Sequence, residues 1–357
     1  MKDAPVGIRY PWETPPAEGV LTEVVEGVLW ARLPLPMALD HVNVYFLREP
    51  NGWAMVDTGF DTTRSRNILE GLISQLDGPV TRVFVTHYHP DHIGLAGWLM
   101  ARGAELICTR TSYVTARMLT LDAQDLPPHE TLEFWRVNGM DPKVFAQRAT
   151  ERPFNFADCV HPLPLGFTRV DEGDRITLGG RMWDIALGQG HAADHAVLYE
   201  VDGPLVLGGD QLLPSISPNI GVYATEPEAD PVGEWLDACA RLAPRARDDQ
   251  LVLPGHKLPF TGLPLRMAQL AQNHHGALDR LLEHLQTPRL GGDCFAPLFK
   301  RKITPGIYGL AFVETIAHLN HLWKRGDITR TPQADGVYVW QAKGNGDERD
   351  TDNRRGA

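Results

Sequence analysis

From Gly27 onward the apolar positions fall in short runs rich in β-branched and aromatic residues: GVLWARLPL (27–35), VNVYFLRE (42–49) and GWAMVDTG (52–59). Gly, Pro and Asp punctuate them, and this pattern predicts successive strands. The period then changes. TTRSRNILEGLISQL carries Ile68, Leu69, Leu72, Ile73 and Leu76 at helical spacing, and it leads into a strand, VTRVFVTH. DHIGLAGWLMARG reads as one helix closed by Gly103, and AELICT as the next strand. Strand and helix alternating in this way is the pattern of a layered α/β domain.

Residues 111–165 break the rhythm. Helical stretches such as TSYVTARMLTL and KVFAQRATE are interrupted by Pro127, Pro128, Pro153, Pro162 and Pro164, and the segment is expected to be an inserted helical cap. Strands resume at DRITLGGRMWDIALG, HAVLYEV, GPLVLGGD and QLVLPGH. Beyond them a long amphipathic helix presents Met267, Leu270, His274, Leu278, Leu281 and Leu285 along one side. A second helix carries Phe312, Ile316, Leu319 and Trp323 on one face and stops at Gly326, and ITR and VYVW flank a turn after it. A helix followed by a hairpin is how a winged helix ends. The expected domains are therefore 1–262, with 111–165 as its cap, a small helical and winged-helix-like unit over 263–343, and a polar, disordered tail over 344–357.

Composition narrows the choice. With 357 residues, 43% hydrophobic and 22% charged, the chain has ample core material. A net charge of −11 argues against general affinity for nucleic acid or anionic membrane. The four cysteines are scattered, with no CxxC pair, which fits a reducing compartment better than a disulfide framework. The first residues hold no apolar leader and no long uncharged apolar run follows, so the expected location is the cytoplasm.

One segment stands apart from this ordinary background. THYHPDH places His87, His89, Asp91 and His92 within six positions at the end of a strand and the start of a helix. Two residues apart, His87 and His89 can point to one side, while Asp91 and His92 face back from beyond the turn. Further donors end later strands: His191 in GQGHAADH, Asp210 in LGGDQ and His256 in LPGHK. Imidazole and carboxylate are the donors that zinc, iron and manganese take, and seven of them suit two metals.

The sequence resembles the metallo-β-lactamase superfamily, whose HxHxDH signature stands unbroken at 87–92 and whose later glycine-histidine and glycine-aspartate elements also match. The resemblance covers roughly residues 20–262. It implies an αββα sandwich holding two divalent ions, zinc ahead of iron or manganese. His87, His89 and His191 would hold one ion, Asp91, His92 and His256 the other, and Asp210 would bridge them. Asp57, in VDTG, and His195, in HAADH, match family positions that support the ligands from behind. The implied chemistry is hydrolysis: two ions lower the pKa of a shared water, the resulting hydroxide attacks a carbonyl or phosphoryl group, and Asp91 orients it or takes its proton.

Asn219, Tyr223 and Lys257 follow metal-bearing segments and are candidates to line a substrate pocket. The expected substrate is a small ester, thioester or lactone, with no membrane partner. The layout also resembles the lactamase-beta-2-like branch, some members of which cut single-stranded RNA, so a ribonuclease is the alternative. Between 288 and 330, seven Lys or Arg face three acids. This excess is small, and the carboxy-terminal unit is read as a packing or homodimer module ahead of an RNA-binding one. A binding module that has kept the fold is the least favoured reading, because no donor has been lost.

Overall fold

The computed structural model describes residues 7–299 and 301–344. Lys300 and residues 345–357, nearly all of the expected tail, lie outside the described residues.

Seven strands make the first sheet in chain order: β1 (Thr22–Val25), β2 (Val28–Pro34), β3 (His41–Glu49), β4 (Gly52–Val56), β5 (Val80–Phe84), β6 (Glu105–Thr109) and β7 (Thr168–Val170). β1 to β4 pair antiparallel, and β4 to β7 pair parallel. The second sheet runs β12-β11-β10-β9-β8, built from β8 (Arg175–Leu178), β9 (Arg181–Gly188), β10 (His195–Glu200), β11 (Leu205–Gly209) and β12 (Leu251–Pro254). Of its pairings, β11 with β12 is parallel and the others are antiparallel.

Alternation along the strands explains the layers. On β3, Tyr45 and Leu47 join Trp30, Val56 and Phe84 in a core that also contains Trp183, Ile185, Leu198 and Leu207 from the second sheet. The intervening Val42, Val44 and Phe46 point the other way, against helices. Those helices are α1 (Thr63–Ile73), α2 (Pro90–Ile93), α3 (Ala96–Met100) and α4 (Arg110–Leu121), which contribute Leu69, Leu72, Ile93, Trp98, Leu99, Tyr113 and Ala116. Each such side chain removed from water contributes roughly 1.5–3 kcal/mol before entropy is counted. Thr62 caps α1 by accepting the Ser65 N–H at 3.0 Å, and Thr109 caps α4 by accepting that of Ser112 at 3.2 Å.

The single helix expected over 91–103 is two short ones. Thr58 causes the break: its Oγ1 donates to the His92 carbonyl at 2.9 Å and accepts the Leu95 N–H at 3.0 Å, replacing a helical bond with a side-chain bridge. Gly94 permits it, because a β-carbon there would lie 2.3 Å from the Gly59 carbonyl oxygen.

The remaining helices are α5 (His129–Val137), α6 (Pro142–Arg148), α7 (Pro231–Leu242), α8 (Leu263–His284), α9 (Phe295–Leu298) and α10 (Tyr308–Arg325), and β13 (Ile328–Pro332) pairs antiparallel with β14 (Tyr338–Ala342). The chain divides into two compact units: residues 1–123, 154–218 and 238–269, and residues 124–153, 219–237 and 270–357. Both sheets of the sandwich belong to the first. The segment 111–165, expected as one insertion, is shared between the units: α4 belongs to the first, α5 and α6 to the second. The division also falls inside α7 and α8, so it differs from the expected boundary after residue 262. In the second unit Phe312, Ile316, Leu319 and Leu322 bury one face of α10, and Phe134 of α5 meets Phe312 edge-on.

Candidate metal centre

The first unit gathers all seven sequence-nominated donors at the ends of its strands. His87 and His89 leave β5, and their facing nitrogens, Nε2 and Nδ1, stand 3.0 Å apart. His191, from the loop between β9 and β10, brings its Nε2 to 3.0 Å from that same Nδ1. On the other side, His256 Nε2 lies 3.2 Å from Asp91 Oδ2 and 3.3 Å from Asp210 Oδ2. His92 Nε2 lies 3.6 Å from Asp91 Oδ2 and 3.4 Å from Asp210 Oδ1. Asp210 also reaches toward the first trio, with Oδ2 3.5 Å from His191 Nε2.

The turns that deliver these residues use backbone that only particular residues allow. Asp57, after β4, sits in the left-handed region at φ 57, a conformation costing roughly 1–3 kcal/mol. It is held there because Oδ1 accepts the Thr86 N–H at 2.9 Å and Oδ2 lies 2.8 Å from His92 Nδ1. Thr86 Oγ1 in turn stands 3.0 Å from His87 Nδ1, so one carboxylate fixes candidate ligands on both sides of the cluster. His195 Nε2 accepts the Asp210 N–H at 3.0 Å, and its ring stacks on His87 with centroids 4.5 Å apart. That approach requires Gly209, since a β-carbon there would lie 2.5 Å from His195 Cε1. In the loop before β10, Thr111 and Gln189 both hold Asp194, itself at φ 52.

Asn43 has an equal part that the sequence reading missed. From β3 its amide donates to the carbonyls of Pro254 at 2.9 Å and Lys257 at 2.8 Å, while its Oδ1 accepts the Trp30 indole N–H at 2.9 Å. Tyr45 Oη adds a bond to the Pro254 carbonyl at 2.8 Å, and the His41 carbonyl takes His256 Nδ1 at 2.9 Å. These bonds clamp the turn that presents His256 and hold Lys257 at φ 69. A buried asparagine within the otherwise apolar VNVYF was the available signal.

The electrostatics divide the cluster in two. Burial, reinforced by neighbouring imidazoles, drives His87 and His89 well below the usual histidine range and His195 down to about 3, so these rings offer lone pairs. On the other side burial opposes charge, yet Asp91, Asp210 and Asp57 outweigh it and raise His92 well above that range, and His256 rises to about 10. Burial likewise opposes ionisation of Asp91, but His92 and His256 bring it down to about 2. Asp210 is held well below the usual carboxylate range in the same way.

The residues fit divalent cations. Three donor groups have ligand atoms within 4.8 Å of one another: His87, His89 and His191; His87, His92 and Asp210; and Asp91, His92 and His256. Tetrahedral zinc, with ligand bonds of about 2.0–2.1 Å, would set its ligand atoms about 3.4 Å apart, close to the spacing here. Among the described residues, Asp210 Oδ1 is buried without a hydrogen-bond partner. Gly255 leaves the space open, because a β-carbon there would meet Asp210 Oδ1 at 2.3 Å and His92 Cε1 at 2.7 Å.

Of the other nominated residues, Lys257 adjoins the cluster in the first unit. Asn219 and Tyr223 belong to the second unit, where the Asn219 amide donates to Glu314 Oε2 at 2.7 Å and to the Leu310 carbonyl at 3.1 Å. No helix among the described residues is long and apolar enough to cross a membrane.

Comparison with known proteins agrees with this geometry. The sequence pattern of the metallo-beta-lactamase superfamily matches residues 37–256, and that of a metallo-beta-lactamase-like C-terminal domain matches 278–343. The chain is 24% identical over 324 residues to the probable metallo-hydrolase YqjP of Bacillus subtilis strain 168, covering 88% of this chain and 97% of that one. A crystal structure of a beta-lactamase domain protein from Burkholderia ambifaria aligns with TM-score 0.85 and 33% identity, over 94% of this chain and 98% of that one. The metallo-beta-lactamase family protein TTHA1429 from Thermus thermophilus aligns with TM-score 0.75 and 26% identity, over 90% of this chain and 100% of that one.

Proposed function

Since this chain belongs to the metallo-beta-lactamase superfamily, we propose that it is a metal-dependent hydrolase of a small ester, thioester or lactone, working with two divalent ions, zinc first among them. The observation that carries the reading is the convergence of seven donors from four strand ends into one buried cluster whose spacing suits cations. His87, His89 and His191 would hold one ion, Asp91, His92 and His256 the other, with Asp210 between them. Such a pair supplies hydroxide at neutral pH and polarises the carbonyl that it meets.

The chain's own residues do the rest. Asp91 would keep the attacking water oriented and take its proton. Asp57 and Thr86 prevent His92 and His87 from turning away, and Asn43 keeps His256 in place. The helix α10 and the β13–β14 hairpin are read as a winged-helix-like packing module.

Turnover of a panel of thioesters, lactones and single-stranded RNA by zinc, manganese and iron forms tests the proposal. Hydrolysis of a thioester or lactone, lost on chelation and restored by metal, is expected. Efficient RNA cleavage at physiological salt without ester turnover would replace this reading with a ribonuclease.

A further inference from the structure

Beside the metal cluster the first unit has a pocket of about 300 Å³ lined by Tyr10, Pro15, His41, Ser215, Lys257 and Leu258. Two of these residues tie it to the centre: Lys257 follows His256 directly, and the His41 carbonyl accepts from His256 Nδ1 at 2.9 Å. Both also carry unspent polarity. His41 is 7% exposed; its Nδ1 lies 2.7 Å from Asp40 Oδ1 and donates to it, while its buried Nε2 has no partner among the described residues. In the neutral ring that Nε2 has a lone pair, so it seeks an N–H or O–H. Lys257 is half-buried and has no carboxylate partner among the described residues. Its left-handed backbone, φ 69, is imposed by Asn43, which bonds its carbonyl at 2.8 Å. Strain maintained by a dedicated side chain, next to a centre of chemistry, marks a placed residue.

We propose that this pocket is the substrate's recognition subsite, in which the Lys257 ammonium binds a substrate carboxylate and His41 Nε2 accepts an N–H or O–H from a neighbouring atom of the same molecule. The proposal rests on the hydrolase reading and names its substrate class: an acyl compound bearing one carboxylate close to an amide or hydroxyl. Among the described lining residues Lys257 is the only lysine or arginine, which balances a monoanion. A phosphate dianion more often draws an arginine fork or several cations. A dedicated cation also has a reason here, because a chain of net charge −11 repels anions at longer range. Pro15, Leu258 and the Tyr10 ring offer apolar contact to the rest of the molecule.

The test uses the metal-loaded full chain and a matched pair of thioesters, S-acetyl-N-acetylcysteine and its carboxamide. The acid is expected to show at least a tenfold higher kcat/KM than the amide. Lys257→Asn, which tolerates the left-handed backbone, should bring that ratio near one, and Lys257→Arg should restore most of it. A ratio that is near one in the wild type, or unchanged in Lys257→Asn, overturns the proposal. The non-hydrolysable S-methyl-N-acetylcysteine and its carboxamide, titrated by calorimetry, separate the subsite from the chemistry. If neither thioester turns over and the wider panel of thioesters, esters and lactones is not hydrolysed either, the hydrolase reading fails. The subsite then stands only if the acid binds wild type at least tenfold more tightly than both the amide and Lys257→Asn, and it falls if binding is equal or absent.

Discussion

His92 Nδ1 lies 2.8 Å from Asp57 Oδ2, and the same carboxylate accepts the Thr86 N–H at 2.9 Å. One buried side chain thus orients the His92 ring and closes the turn that carries His87. Replacing Asp57 with Ala removes both effects. Metal affinity is expected to fall by about 10–100-fold, as for other groups that orient ligand histidines. Competition against a zinc chelator measures it, and an affinity equal to wild type would show that the turn holds His92 without the carboxylate.

Gly255 tests the space between the donors. Gly255→Ala puts a methyl group where Asp210 Oδ1 and His92 Cε1 now lie 2.3 and 2.7 Å from its ideal position. The variant should fold, as judged by circular dichroism, but bind about one ion fewer per chain. Full loading would mean that the two side chains move aside at little cost.

Asn43 is predicted to be a stability hot spot although it is expected to touch no metal. Asn43→Ala strands the Trp30 indole N–H and removes bonds to the Pro254 and Lys257 carbonyls. At roughly 1–3 kcal/mol for each buried group left unpaired, a loss of about 3 kcal/mol is expected from urea denaturation. A change below about 1 kcal/mol would contradict the clamp.

The second unit contains a carboxyl whose titration opposes that of ordinary acids. Burial raises Glu314 to about 7, outweighing the hydrogen bond from Asn219. Its folded value therefore exceeds the unfolded one, 4.5. The stability that the neutral acid contributes is complete below pH 4.5 and is lost as pH rises through 7. Glu314→Gln, which keeps an acceptor for Asn219, should be more stable than wild type at pH 8 and about equal to it at pH 5. Urea midpoints at the two pH values decide it, and a constant difference would place the origin elsewhere. His274 and His318, stacked at 5.3 Å, are pressed down by burial to about 3 and about 4. They act in both proteins alike, each losing stability as pH falls below 6.5, and so cancel in the comparison.

Much of the candidate metal cluster was legible in the sequence because its donors are local: four lie within six residues, and the other three each directly follow a glycine at or just beyond a strand end. Most strands were legible for a similar reason, their punctuation by Gly, Pro and Asp, whereas the short β1 and β7 were not. Asn43 was not legible, because its partners lie 211 and 214 positions away and an isolated polar residue in a strand has many explanations. Nor was the break between α2 and α3. Its cause is the Thr58 hydroxyl, more than thirty positions upstream, acting on a segment whose periodicity looked continuous. The partition of 111–165 was hidden because short helices between prolines bury too little of their own surface to show which unit they join.

The most direct test of the account is the metal content of freshly purified protein, measured by inductively coupled plasma mass spectrometry against the quantified chain. The seven-donor cluster predicts close to two ions per chain, falling to about one when Asp91 and His92 are both replaced by Ala. A wild-type content of one or fewer, unchanged by that double substitution and by added zinc, would contradict it.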